Sequence, residues 1–368
     1  MSPAAPLLVF VSSFTPAPAG GIRAFHLDSE TGALVAAEET RGIPHPFFLA
    51  LSPDGQTLYS TWAEAFGSAA DEAVAAWRIV GRDGALQPLN RQSTRGAASC
   101  HLATDPTGRT LLVANYTRGS VVALPIRPDG SLGAATAFFA HRGRSVNAAR
   151  QEASHAHAII PSPAVAGAAG HAAASRFAFA ADLGTDQILC YRLDAAAATL
   201  APHNPPFTAS PAGAGPRHLR FHPDGRVLYA INELASSVSV YGYDAATGGL
   251  TERQTISTVP GDCTAVTTTA DLRATPDGRF LYGTNRGHDS IAIFRIGADG
   301  LLEVVDIVPS LGGGPQNLAI TPDGSLLLCA NMPGNNLAVF RIDAGSGRLA
   351  PIGPPLAIPG PSCIAIRP

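Results

Sequence analysis

Two histidines, one glutamate and two arginines stand out in this sequence as side chains that could do chemistry together. His155 and His157 are two residues apart, Arg217 precedes His218, Glu233 follows Asn232, and Arg286 follows Asn285. On a strand, residues two apart face the same side, so the two imidazoles point one way. Imidazole and carboxylate move protons, while guanidinium holds anions and developing oxyanions. Such a set suits the binding and turnover of a small anionic molecule. Further contacts to that molecule are expected from His101, His218, Asn232, Asn285, His288, Asp271 and Gln316.

Repetition supplies a structural reading for part of this set. Asn recurs at 115, 232, 285 and 331 in the same sequence context, and His101 and His218 are equivalent to one another. Asn caps turns and tolerates left-handed backbone, which explains its recurrence without a ligand. Arg217 and Arg286 equally suit salt bridges between repeats. Glu233 replaces the ordinary residue after the repeated Asn, so repetition does not account for it. A metal reading would take two ligands from His155-x-His157 and a third from Glu233. No Cys or Asp stands at a matching spacing, and the arginines would repel a cation, so neither metal nor cofactor is expected. No phosphate-binding glycine loop in a strand-to-helix setting and no Gly-x-Ser-x-Gly elbow occurs.

The elements that must position these residues are repeats. An apolar stretch, Pro-Asp-Gly or a relative, and a second apolar stretch recur around Pro53, Pro106, Pro223, Pro276 and Pro322, at separations of 53, 117, 53 and 46. The double gap holds a degenerate copy near Pro161. A second phrase, Asp followed by a Gly- or Ala-rich turn and Leu, recurs seven times, beginning at Asp28, Asp83, Asp129, Asp194, Asp244, Asp299 and Asp343. Asp and Gly supply the turn positions of hairpins. Short strands repeating at about 40–50 residues mark a β-propeller.

The missing seventh Pro-Asp-Gly copy is split between the chain ends. Cys363–Ile366 reads as the strand before the turn and Leu7–Val11 as the strand after it, and their pairing would leave no open edge. The expectation is an all-β, seven-bladed propeller with four antiparallel strands per blade, forming one domain over 1–368. Residues just before the first strand and just after the second of each blade then meet on the rim opposite Pro-Asp-Gly. That rim collects His45, His101, His155, His157, Arg217, His218, Asp271 and Gln316 with Glu64, Asn115, Asp182, Asn232, Glu233, Asn285, Arg286, His288 and Asn331.

Composition agrees with one closed body. The 368 residues are 46% hydrophobic, with 38 Gly and 31 Pro to serve many turns. A net charge of −3 gives no electrostatic reason to expect nucleic acid or an anionic membrane as partner. No apolar run reaches the length of a membrane span. Five cysteines without close pairs read as thiols in a reducing compartment, so cytoplasm is the expected location and a monomer or weak homodimer the expected state. Residues 162–175, rich in Ala and Gly, replace a Pro-Asp-Gly turn and read as an elongated turn.

The strings SCHLATDPTGRTLLVANY, RQEASHAH, ADLGTDQILCYRLD, GAGPRHLRFHPDGRVLYAINEL and TNRGHDSIAIFRI, colinear along almost the whole chain, resemble the propeller lactonase family. That family holds propeller-type 6-phosphogluconolactonases and fungal carboxymuconate lactonizing enzymes. The resemblance implies a metal-independent site at the channel mouth. The catalytic set it implies falls on His155 or His157, Arg217, Glu233 and Arg286. Three stretches depart from the family pattern: Ala270-Asp271-Leu272-Arg273 replaces Ala-Glu-Ile-His, Pro315-Gln316 replaces Pro-Arg, and Asn331-Met332 replaces Asn-Gln.

The expected activity is hydrolysis of a sugar δ-lactone, with 6-phosphogluconolactone the first choice. Glu233 or a neutral His155 or His157 would activate water, and Arg217 and Arg286 would hold the substrate's anion and the oxyanion. The alternatives are a carboxymuconate cycloisomerase on the same scaffold and a non-enzymatic binding propeller. The last would spread aromatic or charged patches over its faces instead of gathering one polar ring.

Overall fold

Hairpin turns placed at regular intervals leave each strand little choice of partner, and the sheets follow the chain in order. The computed structural model describes residues 5–68, 70–165 and 174–367, and these form seven antiparallel sheets and no helix. Blades 1 to 6 begin with inner strands Leu49–Leu51, Ala97–Thr104, Ala156–Pro161, Pro216–Phe221, Thr268–Ala274 and Pro315–Ile320. Blade 7 takes its inner strand, Pro361–Arg367, from one end of the chain and its next, Leu7–Ser13, from the other. The two run antiparallel with Val9 opposite Ile366 and Val11 opposite Ile364, the closure expected from the split repeat. Each of the seven Asp-to-Leu turns joins the third strand of a blade to the fourth.

Blade 6 departs from four strands. Its outer strand is broken into Leu349–Pro351 and Leu356–Ala357, both paired with Asn336–Ile342. Gly353, Pro354 and Pro355 lie in the gap, and proline has no N–H for the ladder. At the elongated turn of blade 3, Val165 bridges Ala174, while 166–173 fall outside the described residues.

The core lies between blades. Val227, Tyr229 and Ile231 of blade 4 pack on Leu281, Ala292 and Phe294 of blade 5, and each neighbouring pair of sheets repeats this layer. A tyrosine hydroxyl ties some of these layers together. Tyr59, Tyr229 and Tyr282 donate to the carbonyls of Gly130, Gly300 and Gly347, in the hairpin of the next blade, at 2.8–3.0 Å. A buried ring with a satisfied polar tip is the favourable way to place tyrosine in a core.

One backbone irregularity recurs around the ring. In six blades the pairing of the inner strand with the next slips beside its first residues, the signature of a β-bulge. The skipped residues are Cys100, His157, Arg217, the pair Ala270-Asp271, Gln316 and Ser362. In four of these blades the residue before the slip pairs with Asn115, Asn232, Asn285 or Asn331. A bulge re-aims a side chain, and here it acts at one mouth of the channel.

Candidate active site

Glu233 is the centre on which the mouth converges. Its side chain is nearly inaccessible, 3% exposed, at the end of the blade 4 strand Val227–Asn232. Oε2 accepts from Nε of Arg217 at 2.9 Å and pairs with an NH2 nitrogen of Arg286 at 3.0 Å. Oε1 accepts from an NH2 nitrogen of Arg150 at 2.5 Å. Nε2 of His157 stands 3.8 Å from Oε2, too long for a direct hydrogen bond. Burial alone would raise the carboxyl's pKa, but Arg286, Arg217, the neighbouring His157 and Arg150 outweigh it and hold the value at about 2. Three guanidiniums about one carboxylate leave the cluster cationic.

The three arginines differ in access. Arg217, on the bulge of blade 4, is 1% exposed. Besides Glu233 it donates to the carbonyl of Ala270 and to Nε2 of His218. Burial, together with repulsion from Arg286, lowers its pKa to about 10. Arg286 ends its strand in blade 5 and donates to the carbonyl of Thr269 at 2.8 Å, with its side chain 25% exposed. Arg150 belongs to the loop before blade 3, with its side chain 39% exposed. That loop is firmly based, because buried Gln151 donates to the carbonyl of Leu183 and to Asp186.

The imidazoles fall into two groups. His157, on the bulge of blade 3, lies against Glu233; burial and then Arg217 push its pKa well below the ordinary value, so it is neutral. Its Nδ1 is buried without a partner. Both nitrogens of His155 face acceptors, Nδ1 the carbonyl of Tyr116 at 3.1 Å and Nε2 the carboxylate of Glu152 at 3.1 Å. The Tyr116 ring stacks on His155 at 4.4 Å and meets His157 edge-on at 5.3 Å. Deeper in the channel, Nδ1 of His218 donates to Asp271 at 2.8 Å while Nε2 accepts from Arg217. His101 packs between Phe48 at 4.6 Å and His218 at 5.2 Å, and burial brings its pKa down to about 3.

Not every expected residue reaches the cluster. Asp271 is buried and takes His218, Arg273, Asn317 and the backbone of Leu318. The Asn232 amide donates to Ser237 and Ser239, and that of Asn285 to Thr258 and Ser290, which fixes strand ends. His288 bonds Ser290 through Nδ1 at 2.8 Å. Gln316 occupies in blade 6 the bulge position that Arg217 holds in blade 4 and carries no charge. Arg150 and Tyr116 are not among the residues expected from sequence. Arg150 opens the string RQEASHAH in a loop that no repeat position marks, whereas Tyr116 follows Asn115 as Glu233 follows Asn232 and Arg286 follows Asn285, a signal that could have found it. Two deep hollows open on the opposite rim, and neither includes Glu233.

A family description fits both this cluster and its scaffold. The model of the family "Lactonase, 7-bladed beta-propeller" matches residues 8–366. The chain belongs to this lactonase family. It is 32% identical over 356 residues to the 6-phosphogluconolactonase of Bacillus subtilis, covering 96% of this chain and 97% of that one. Among solved structures, a putative 6-phosphogluconolactonase from Bacteroides fragilis superposes with a TM-score of 0.88 at 30% identity, covering 100% of this chain and 99% of the other. A periplasmic gluconolactonase from Pseudomonas aeruginosa does so with a TM-score of 0.88 at 28% identity, covering 98% and 99%. The seven-bladed architecture read from the repeats is that of the family.

Proposed function

We propose that the chain hydrolyses a sugar δ-lactone, 6-phosphogluconolactone first among candidates, at the Glu233 cluster. The observation that carries this reading is three guanidiniums and one neutral imidazole converging on a single ionised carboxylate. A net cationic mouth favours an anionic substrate, and the activity named for the B. subtilis relative acts on such a compound.

Glu233, with a pKa of about 2 and both carboxylate oxygens already bonded to arginines, is a weak proton acceptor. Its proposed role is to orient. The 3.8 Å between His157 Nε2 and Glu233 Oε2 lets one water seated beside the pair bond both. His157 takes one proton of that water as its oxygen attacks the lactone carbonyl carbon. The carbonyl π electrons move to oxygen, and Arg286 holds the resulting oxyanion. Collapse breaks the bond to the ring oxygen, which receives the proton from His157, and the product leaves as a hydroxy acid. The Glu233 charge favours the imidazolium formed on the way. His155 is the weaker candidate for the base, because both its nitrogens are occupied. A reducing compartment is the proposed location, supported by five free thiols, of which four are buried.

The test is the rate of 6-phosphogluconolactone loss against the spontaneous rate at the same pH. Acceleration is expected in the wild type. His157→Gln should lower it by about 10²–10⁴-fold, and His155→Ala by much less. A folded wild-type protein that leaves the spontaneous rate unchanged would sink the reading.

A further inference from the structure

We infer that Arg150 recognises the phosphate of a phosphorylated lactone, giving up Glu233 to take it. This inference rests on the lactone-hydrolase reading above and adds the residue that sets its preference for a phosphorylated substrate.

The way the arginines share the Glu233 carboxylate carries the argument. Arg217 and Arg286 are both on Oε2, while Arg150 alone holds Oε1. When Arg150 lets go, the carboxylate keeps two cations on Oε2 and remains ionised and placed. Releasing Arg217 instead would strand a guanidinium that is 1% exposed and break its bonds to His218 and Ala270.

Access and free donors point the same way. Arg150 has the most exposed side chain of the three, at 39%. Its only polar contacts among the described residues, to Glu233 and at 3.4 Å to the Tyr116 hydroxyl, both use NH2. Nε and NH1 have no partner among the described residues, and each bidentate face of the guanidinium, Nε with NH2 or NH1 with NH2, is completed once NH2 leaves Glu233. A guanidinium so released presents a fixed fork that matches two phosphate oxygens, which an ammonium cannot do. Its backbone is held by Gln151, whose amide is bonded to Leu183 and Asp186, so the side chain swings on a fixed base. Gln316, at the blade 6 bulge position that Arg217 holds in blade 4, is neutral and offers no competing charge.

The chemistry expected of the partner is thus a dianionic phosphate ester lying outward of the reacting carbonyl. The lactone carbonyl sits at His157 and Arg286, and the ester end reaches the rim at Arg150. An unphosphorylated lactone would bind the inner half alone.

Arg150→Met and Arg150→Lys test this, with kcat/KM measured on 6-phosphogluconolactone and on glucono-δ-lactone, and Kd measured for 6-phosphogluconate and for gluconate. With Arg150→Met, kcat/KM on the phosphorylated lactone should fall by about 100-fold or more, chiefly through KM, and by at least about 10-fold more than on glucono-δ-lactone. Arg150→Lys should fall between, and it supplies the ratio if the Met variant does not fold. The Kd for 6-phosphogluconate should weaken in step while that for gluconate holds. Equal losses on both lactones, or no loss on the phosphorylated one, overturns the inference and leaves the hydrolase standing. A wild type that accelerates neither lactone removes the reading beneath it, and equal Kd values for the two acids then remove this inference as well.

Discussion

Asp186 accepts the side-chain amide of Gln151 on Oδ1 at 2.8 Å, and by that bond two loops beside the Glu233 cluster become one unit. The same carboxylate takes the backbone N–H of Gly215 at 2.7 Å, that of Gly213 at 2.6 Å and the hydroxyl of Ser145 at 2.5 Å. Gly213 and Gly215 lead into Arg217, and Ser145 and Gln151 bracket Arg150. Hydrogen bonds to a charged group contribute about 1.5–3 kcal/mol each. Asp186→Ala should therefore cost about 3 kcal/mol or more in urea unfolding and lower kcat/KM on both lactones together. Unchanged stability would mean that the loops hold their places without it.

Glu233→Gln tests the opposite balance. The substitution leaves Arg217 buried without a counter-charge, and breaking a buried ion pair costs about 3–5 kcal/mol. Thermal unfolding should show this loss, and added inorganic phosphate should raise the variant's Tm more than the wild type's. Turnover should fall while the Kd for 6-phosphogluconate does not weaken, because the cluster is more cationic without the carboxylate. Weaker anion binding would mean that Glu233 mainly holds the arginines in place.

Acid should destabilise the protein through its buried histidines. His101, His157 and His218 are buried neutral, with folded pKa values pushed below the ordinary 6.5 by burial. Their contribution is complete above pH 6.5 and is lost as pH falls from there toward the folded values. Each adds a slope of up to about 1.4 kcal/mol per pH unit in that window. Glu233 adds loss in the same direction only below about 4.5, toward its folded value of about 2. Unfolding free energies measured from pH 7.5 to 5 should decline, and His101→Phe should flatten the slope. A pH-independent profile over that range would refute the account.

The tyrosine ties between blades should be worth about 1 kcal/mol each. Tyr229→Phe keeps the ring and loses only the bond to Gly300 at 3.0 Å. A drop of about 0.5–1.5 kcal/mol in chemical denaturation is expected, with kcat/KM unaltered, since neither residue touches the cluster. A change in turnover would reveal coupling between the blade 4 core and the mouth.

The fold was legible because local signals repeat. Seven Asp-to-Leu turns announced seven hairpins, and the half-repeats at Leu7–Val11 and Cys363–Ile366 announced their own pairing. His157, Arg217, Glu233 and Arg286 could be placed on one rim because strand ends fix where a side chain goes. Charge balance was not legible in the same way. Glu233 stands out in sequence because it departs from the repeat, and there it is one candidate base beside His155 and His157, whereas its pKa is set by arginines from three different segments. Arg150 escaped notice because no repeat position marks its loop, and what places it is a contact across 35 residues, from Gln151 to Asp186. The break in the outer strand of blade 6 was written in Gly353-Pro354-Pro355, but a count of hairpins does not register it.

The slipped register at the head of six inner strands gives this ring interchangeable sockets. Sheet pairing on either side of each slip is a backbone affair, so the residue in the socket is released from serving the ladder. Thiol, imidazole, guanidinium, amide and hydroxyl already occupy these places in Cys100, His157, Arg217, Gln316 and Ser362. A descendant of this sequence can therefore change the side chain at one of these places by a single substitution without altering the pairing of the blade that carries it.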